Sequence, residues 1–429
     1  MTATAHRMDA VVTDARRAEA FAPPVAAPPV ALYVHVPFCV SLCPYCDFVV
    51  YAGSAARGPR NRVPAFVSAL ETELHLRADA LDERFGPPPQ RPALASLYLG
   101  GGTPSLLPID AIASIVGLVK ERYGVVDDAE VTLEANPGPE ERGDAGALRA
   151  AGVTRLSFGA QSLDPAELRR LGRRHRAEDV AEAVAGAREA AVPSVSLDLL
   201  YDVPDGTLAS WIATLDAALD LAPDHLSLYA LTLDDPDAEG LTGVTGDHLP
   251  TTRGARRWRD TSRAAQDDDR AAAQYHHAFH RLAADGWRPY EISNWARPGH
   301  ESRHNMAYWE RRPYEAVGPG AHAFDGSVRR WNAAALDGWV EALSPRAGAP
   351  CLPPGGSESI DAATAASERV ILGLRTDGGV PLPAASEPPL AGVFGWALAA
   401  ELLEVTADDR VVLTVRGRLL SNEVFAALV

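Results

Sequence analysis

The feature that most constrains the fold of this chain is an alternation of short apolar segments and longer helical segments from about residue 31 onward. Short segments rich in Val, Leu and aromatic residues predict β-strands, and apolar residues at helical spacing predict the helices between them. This alternation is typical of βα units around a parallel sheet. The six predicted strands cover residues 32–36, 95–99, 130–134, 154–158, 195–200 and 226–231. The clearest predicted helices cover residues 64–81, 109–123, 177–191 and 208–221.

Six units are too few for a closed eight-stranded barrel, so the α/β pattern predicts an open, three-quarter (β/α)6 barrel. In barrels of parallel strands, functional residues lie at the carboxyl ends of the strands. Glycines that permit close backbone approach, and polar residues, do follow or end these strands: Gly100 to Gly102 with Thr103, Glu134, Arg155, Gln161 and Asp198. Each of them taken singly also has a purely structural explanation. Their recurrence at consecutive strands predicts a ligand site at this end of the barrel.

Three of the four cysteines fall within eight positions, at Cys39, Cys43 and Cys46, directly after the first predicted strand. Three thiolates can hold three irons of a [4Fe-4S] cube and leave the fourth iron open to another ligand. A disulfide framework is a poor explanation, because it needs paired cysteines and a small secreted scaffold. A Cys3His zinc site, completed by His35 or another imidazole, is the alternative.

Composition limits the partners and the compartment. The 429-residue chain is 47% hydrophobic, which is enough for a large core in two or three domains. Its formal net charge of −17 argues against nucleic acid or an anionic lipid surface as the main partner. The arginine-rich stretch 169–176 is then interpreted as a solvated helix face. Scarce cysteines indicate a reducing, cytoplasmic location, and the absence of a long apolar run predicts no membrane span.

Local composition also suggests where domains begin and end. Residues 1–30 are rich in Ala and Pro and are expected to be a disordered leader. The barrel core is predicted over 31–235, with an extension over 236–344. Residues 234–269, across this boundary, are interpreted as a mobile insertion. Residues 345–359 are rich in Pro, Gly and Ser and predict a linker to a small α+β domain at 360–429.

Several segments together resemble a known family. They are YVHVPFC at 33–39, CPYCDF at 43–48, the Gly-Gly-Gly-Thr-Pro loop and RLSFGAQS at 155–162. The chain resembles the coproporphyrinogen-oxidase-like branch of the radical S-adenosylmethionine (SAM) superfamily, and within it the HemW-type heme chaperones. The resemblance covers about residues 30–429 and implies a radical SAM barrel with a C-terminal winged-helix-like domain at 360–429.

The resemblance also implies cofactors and the residues that hold them. It implies a [4Fe-4S] cluster on the three cysteines, SAM bound to the cluster, and heme. Tyr45 is implied to pack beside the cluster. The residues implied to line the SAM pocket are Tyr33, Gly101, Gly102, Thr103, Glu134, Gln161, Arg173, Asp198 and Ala230.

Two features separate the heme chaperones from their relative, the oxygen-independent coproporphyrinogen III oxidase. The oxidase group usually carries a further cysteine two residues after the third cluster ligand, where this chain has Phe48. The run HNMAYW at 304–309 matches the H-N-x-x-Y-W motif associated with heme binding in the chaperones. Imidazole is a common axial ligand of heme iron, so His304 is the first candidate ligand and His322 the second. The alternative for His304 is a hydrogen-bonded histidine that positions the SAM site or the barrel edge.

The resemblance therefore implies a heme chaperone that passes heme to acceptor apoproteins, with respiratory enzymes at the membrane as candidate acceptors and an electron donor protein as a further partner. The alternative is a radical SAM enzyme that acts on coproporphyrinogen. The chain departs from its relatives at Asp202 and Asp205, where glycines are common. Asp tolerates left-handed backbone angles, so the turn is expected to survive. The added negative charge is expected to disfavour SAM or heme carboxylates at this strand end.

Overall fold

The computed structural model describes residues 24–242, 247–344 and 349–429. Its main sheet contains the six predicted strands side by side in chain order, and every neighbouring pair is parallel. The described strands form an open sheet and no closed barrel, which confirms the predicted open α/β fold. The strands are β1 Ala31–Val36, β2 Leu94–Gly101, β3 Val125–Ala135, β4 Arg155–Gln161, β5 Ser194–Tyr201 and β6 His225–Ala230.

Six more strands extend this sheet at both edges. Four lie on the β1 side, where β9 pairs with β1 in parallel and the others follow antiparallel. The sheet order is β12-β11-β10-β9-β1-β2-β3-β4-β5-β6-β8-β7. The added strands are β7 Arg288–Pro289, β8 Asn294–Ala296, β9 Tyr314–Val317, β10 His322–Phe324, β11 Val328–Asn332 and β12 Gly355–Ser359.

Helices cover the outer face of the parallel strands. Asp164 illustrates why they begin where they do, because its carboxylate accepts the backbone N–H groups of Ala166 and Glu167 with Pro165 at the first helical position. Thr207 caps another helix through the N–H of Ser210. The covering helices are α1 Val63–Phe85, α2 Ile109–Tyr123, α3 Ala145–Ala150, α4 Pro165–Arg170, α5 Ala177–Glu189 and α6 Leu208–Asp220.

The two faces of the parallel strands differ in polarity. Outward positions such as Leu97 and Leu133 are buried in the main apolar core with the helices. The alternate positions, among them Tyr98, Glu134 and Asp198, line a cavity inside the barrel. Interiors of closed (β/α)8 barrels are filled with branched apolar side chains, so a polar lining marks this interior as a ligand site.

The region after β6, predicted to be a mobile insertion, contains a helix. Residues 243–246 lie outside the described residues, but Arg253–Arg263 forms helix α7, capped by Thr252. Trp258 on this helix donates its indole N–H to the backbone oxygen of Arg170 at 3.1 Å. The sequence did not predict this helix, because its five arginines obscured a buried face of small and polar residues; the mobility of the region stays a prediction. Three further helices follow: α8 Asp268–Ala284, α9 Arg303–Trp309 and α10 Leu336–Leu343.

Parts of the predicted leader and linker also have defined structure. Residues 1–23 and 345–348 lie outside the described residues. Within 24–30, Ala27 and Val30 donate backbone hydrogen bonds to Asp325 and Pro313 at 2.8 and 2.9 Å, so this part of the predicted leader is held against the sheet. Gly355–Ser359, the end of the predicted linker, pairs with β11 as an edge strand. Its Gly and Ser residues have low strand propensity, so the sequence did not predict this strand. Pairing with the neighbouring strand stabilises it.

The C-terminal region packs around its own apolar cluster, which includes Leu374, Leu390, Val411 and Val424. It contains the helices and the small β-ribbon that the sequence predicts, with strand order β13-β15-β14. The winged-helix-like arrangement stays a prediction. The elements are α11 Ala362–Arg375, β13 Val380–Pro381, α12 Ala391–Ala399, β14 Leu403–Val405, β15 Arg410–Leu413, α13 Val415–Leu419 and α14 Ser421–Ala426.

The turn after β5 accommodates the two unusual aspartates. Asp202 and Asp205 both have φ of +55°, which is the left-handed region that Asp tolerates. The Asp202 carboxylate is buried and pairs with Arg270, whose Nε lies 3.0 Å from one oxygen. The charge of Asp202 is therefore offset by Arg270 on α8, and the expected conflict with SAM or heme carboxylates stays a prediction. Asp205 is exposed and lies 3.7 Å from Arg170.

We predict that Asp202→Ala lowers the free energy of unfolding by about 3 kcal/mol, because it leaves Arg270 as a largely buried charge without its partner. Asp205→Ala is the matched control, because Asp205 has the same backbone angle but its ion pair is exposed. Both variants lose some stability from placing Ala at a positive φ. Beyond that, we expect the free energy of unfolding of Asp205→Ala to fall by less than about 1 kcal/mol. Urea unfolding followed by circular dichroism measures both. Equal losses in the two variants would show that backbone strain, and no buried ion pair, governs this turn.

Candidate functional site

A cavity of about 420 Å³ lies at the carboxyl ends of the parallel strands. Of the fourteen residues predicted as cluster ligands, SAM-site residues, Tyr45 and first heme-ligand candidate, twelve line it, although they come from seven separate stretches of the chain. Strand order alone explains this convergence, because the carboxyl ends of adjacent parallel strands meet at one edge. The twelve are Cys39, Cys43, Tyr45, Cys46, Gly101, Gly102, Thr103, Glu134, Gln161, Arg173, Asp198 and Ala230.

The cysteine loop is held at both ends. Phe38–Cys39 and Tyr51–Ala52 pair as a short parallel ribbon. Within the loop, Cys46 donates its backbone N–H to the oxygen of Cys43 at 3.1 Å. Because its ends and its interior are both hydrogen bonded, the loop presents all three thiols to one cavity.

Two donors from the barrel approach the thiol sulfurs. The hydroxyl of Thr103 lies 3.5 Å from the Sγ of Cys39, and an Arg173 nitrogen lies 3.4 Å from the Sγ of Cys43. Burial raises the pKa of the Cys39 thiol to about 11 and raises that of Cys46 further. Without metal these thiols therefore favour the protonated form. A bound metal ion would favour the thiolate instead, because a coordinating thiol is deprotonated. Hydrogen-bond donors beside the sulfurs would stabilise the thiolates.

His35, the imidazole that the zinc alternative names first, has other partners. His35 is buried, and its ring nitrogens lie 2.8 Å from the oxygen of Val49 and 3.0 Å from the hydroxyl of Tyr33. In the segments that the structure describes, no three His, Cys, Asp or Glu side chains converge closely enough to hold a single metal ion. All three thiols line one cavity, as the ligands of an iron–sulfur cube would.

Neighbouring atoms leave no room for a side chain at two positions of the glycine loop. Gly101 has a φ of +102°, and a Cβ atom there would lie 2.3 Å from the ring of His35. At Gly102 a Cβ atom would lie 2.7 Å from the backbone oxygen of Phe38. These glycines thus bring β2 close to the cysteine loop, and they leave the loop backbone facing the cavity.

Glu134 connects this loop to the cavity wall. Its carboxylate accepts hydrogen bonds from the Tyr98 hydroxyl at 2.7 Å and from the Gly101 N–H at 2.9 Å. Burial raises the pKa of Glu134 to about 7, so near neutral pH it is divided between protonated and ionised forms. A cationic ligand group in the cavity would favour the ionised form.

A second polar group lies across the cavity. Ser157 donates to the Asp198 carboxylate at 3.2 Å, and burial raises the pKa of Asp198. Arg173 donates to the Gly159 oxygen at 2.7 Å and to Asn136, while its Nε is buried without a hydrogen-bond partner in the described part of the chain. A polar or anionic ligand in the cavity would accept a hydrogen bond from this Nε–H group.

The structure adds cavity residues that sequence reasoning missed. Tyr98 and Ser157 lie on inward positions of β2 and β4, and Asn136 donates to Thr103 at 3.1 Å just after β3. For Ser157 a signal was available, because it lies two residues after Arg155 on β4 and alternate residues of a strand share one face.

Tyr33 and His304 lie beside the cavity and do not line it. Tyr33 faces the rings of Tyr98 and His304 at centroid distances of 6.1 and 6.2 Å. His304 is 1% exposed, with Nδ1 hydrogen bonded to Ser96 at 3.0 Å and Nε2 to Tyr308 at 2.7 Å. Burial lowers its pKa to about 3. This environment matches the alternative role of a histidine that positions the barrel edge.

His322, the second heme-ligand candidate, is exposed on β10. Its ring nitrogens lie 3.1 Å from the oxygen of Gly320 and 3.1 Å from the carboxylate of Asp247, and its ring stacks on Trp331. The cavity-lining residues do not include it.

We predict that Cys43→Ala abolishes the iron and acid-labile sulfide that the wild type carries after anaerobic purification, because two thiolates hold an iron–sulfur cube poorly. Cys351→Ala is the matched control, since Cys351 is an exposed free thiol far along the chain. Equal iron in the Cys43 variant and the wild type would contradict the cluster assignment.

None of the helices in the described residues is both long and apolar enough to cross a membrane.

Comparison with known proteins agrees with this geometry. The Radical SAM superfamily model matches residues 33–218. The heme chaperone HemW of Mycobacterium tuberculosis H37Rv is 37% identical over 407 residues, which cover 94% of this chain and 96% of that protein. The heme chaperone HemW of Bacillus subtilis is 29% identical over 403 residues, with coverage of 92% and 98%.

A solved structure shares the fold over nearly the whole chain. Escherichia coli coproporphyrinogen III oxidase, HemN, described as a radical SAM enzyme, matches with a TM-score of 0.74 and 22% identity over 96% of this chain and 92% of that chain. At this identity the likeness concerns the fold alone. The sequence relatives go further, and on their identity and coverage this chain belongs to the HemW family within the radical SAM superfamily.

Proposed function

We propose that this chain is a cytoplasmic heme chaperone that binds a [4Fe-4S] cluster, SAM and heme and transfers the heme to acceptor apoproteins. The observation that carries the proposal is the 37% identity to a heme chaperone HemW over 94% of the chain. Three thiols at one polar cavity support the cofactor part of the proposal. Heme-requiring respiratory enzymes at the membrane are the acceptors we propose.

The residues that would hold the cofactors are those of the cavity. Cys39, Cys43 and Cys46 would ligate the cluster, whose open iron would bind SAM and, when reduced, can cleave it. Thr103 and Arg173 would donate to the thiolate sulfurs. Glu134 and Asp198 offer carboxylates to the ammonium and ribose hydroxyl groups of SAM, and the glycine loop leaves the backbone open to the ligand.

The mouth of the cavity favours heme handling over coproporphyrinogen oxidation. Phe48, at the position where the oxidase group usually has a cysteine, lines the cavity and is 62% exposed. Leu42 lines the same mouth and is 39% exposed. Apolar and aromatic side chains at an opening suit the flat face of a porphyrin, and Phe48 supplies no thiol for chemistry there.

We also propose that His304 acts as a positioning residue. A bond from its ring to heme iron would require the loss of a hydrogen bond to Ser96 or Tyr308 and the opening of a buried site. The hydrogen bonds from His304 to Ser96 and Tyr308 instead hold α9 against β2. Ser302 and Asn305, which flank His304, then reach the cavity.

Heme titration followed by absorption spectroscopy tests this function. We predict that the wild type binds heme, that Phe48→Ser weakens the affinity by about tenfold through lost apolar contact, and that His304→Ala keeps the Soret position. His276→Ala, on the surface of α8, is the control for histidine loss.

Absence of heme binding by the wild type would contradict the proposed function. A Soret shift confined to His304→Ala would instead restore His304 as the axial ligand. Unchanged affinity in Phe48→Ser would remove the cavity mouth as the contact for heme.

A further inference from the structure

Two arginine-rich segments come together outside the cysteine loop. Residues 169–176 and 253–263 together contain ten of the chain's 40 Lys and Arg residues and a single acid, Asp260. The indole of Trp258 bonds the Arg170 backbone, which joins the two segments. In a chain with a formal net charge of −17, this concentration of positive charge is exceptional.

A surface groove of about 490 Å³ lies where the segments meet. Its lining includes Arg170, Arg257, Asp205 and Trp258. Arg257 is exposed, and among the described residues it forms no ion pair. Four of the ten arginines are paired with acids: Arg170 with Asp205, Arg174 with Glu140, Arg176 with Asp179, and Arg256 with Asp235 and Asp237. Ten arginines against these five acids and Asp260 still leave the two segments with a positive balance.

An aromatic pair connects this groove to the cavity. Trp258 lines the groove, Tyr45 lines the cavity, and their ring centroids are 6.2 Å apart. On the same helix, the Arg259 side chain is buried and donates to the backbone oxygen of Cys46 at 2.9 Å. The helix that carries the basic surface is thus directly bonded to the loop that presents the thiols.

We propose that this basic groove is the docking surface for a small acidic protein that donates single electrons. The inference rests on the cluster assigned under the proposed function. Charge complementarity selects an acidic partner, and the Trp258–Tyr45 contact joins the groove to a side chain that lines the thiol cavity. One electron leaves the reduced donor, which is oxidised, and enters the cluster, which is reduced; no bond forms or breaks.

Binding and reduction are measured separately in the full-length reconstituted protein. The probe is an acidic plant-type [2Fe-2S] ferredoxin, used oxidised for calorimetric binding and reduced for stopped-flow bleaching of the cluster. We expect Arg257→Glu to weaken binding and slow bleaching by about tenfold at low ionic strength, because reversing one rim charge mainly slows association. Added salt is expected to reduce the wild-type rate toward that of the variant.

Arg149→Glu, an exposed arginine on α3, is the matched control and is expected to behave as the wild type. Dithionite, which is small and needs no docking surface, is expected to reduce both variants at the wild-type rate. Unchanged ferredoxin binding in Arg257→Glu, or an equal loss in Arg149→Glu, would overturn the proposal. Slower reduction of Arg257→Glu by dithionite would also overturn it, because the effect would then lie in the cluster.

A basic groove could also attract nucleic acid, so a single-stranded oligonucleotide is titrated in parallel. Tighter binding of the oligonucleotide than of ferredoxin, lost in Arg257→Glu, would overturn the assignment of an electron donor. These outcomes are independent of heme binding, so a wild type that binds heme but shows no groove effect contradicts this inference alone. A wild type without a cluster contradicts the cofactor part of the proposed function instead.

Discussion

The alternation of side chains along the six parallel strands is the constraint on which the rest of the structure depends. One face of each strand is apolar and packs on helices, and this packing supplies the main core. The other face carries Tyr98, Glu134, Ser157 and Asp198, which an open barrel can leave around a cavity. The register of neighbouring strands then places residues from distant parts of the sequence at one edge, next to the cysteine loop.

Much of this arrangement could be predicted from the sequence because it depends on local patterns. The six core strands follow from short apolar segments that alternate with helical ones, and many cavity residues follow from the glycines and polar residues at the strand ends. Strand β9 was missed, because four residues after a short helix carry little signal. Strand β12 was missed for another reason: its Gly and Ser residues gain order from the partner strand.

Tertiary contacts set the limit of prediction in the site. No local pattern indicates that Arg259 reaches Cys46, or that α7, with its many arginines, packs beside the cysteine loop. The same holds for His304, where the H-N-x-x-Y-W motif suggested a heme ligand and the structure shows a buried ring bonded to Ser96 and Tyr308. We propose that His304 positions the wall of the cavity, while exposed apolar residues such as Phe48 lie at its mouth.

The central claim is that this cavity serves heme transfer and not the oxidation of a heme precursor, although the fold is shared with HemN. The most direct test incubates the reconstituted protein anaerobically with coproporphyrinogen III, SAM and a reductant, and analyses the tetrapyrroles by chromatography and mass spectrometry. Our account predicts that coproporphyrinogen III is recovered unchanged. Its conversion to protoporphyrinogen, with loss of two carboxyl groups, would contradict the account.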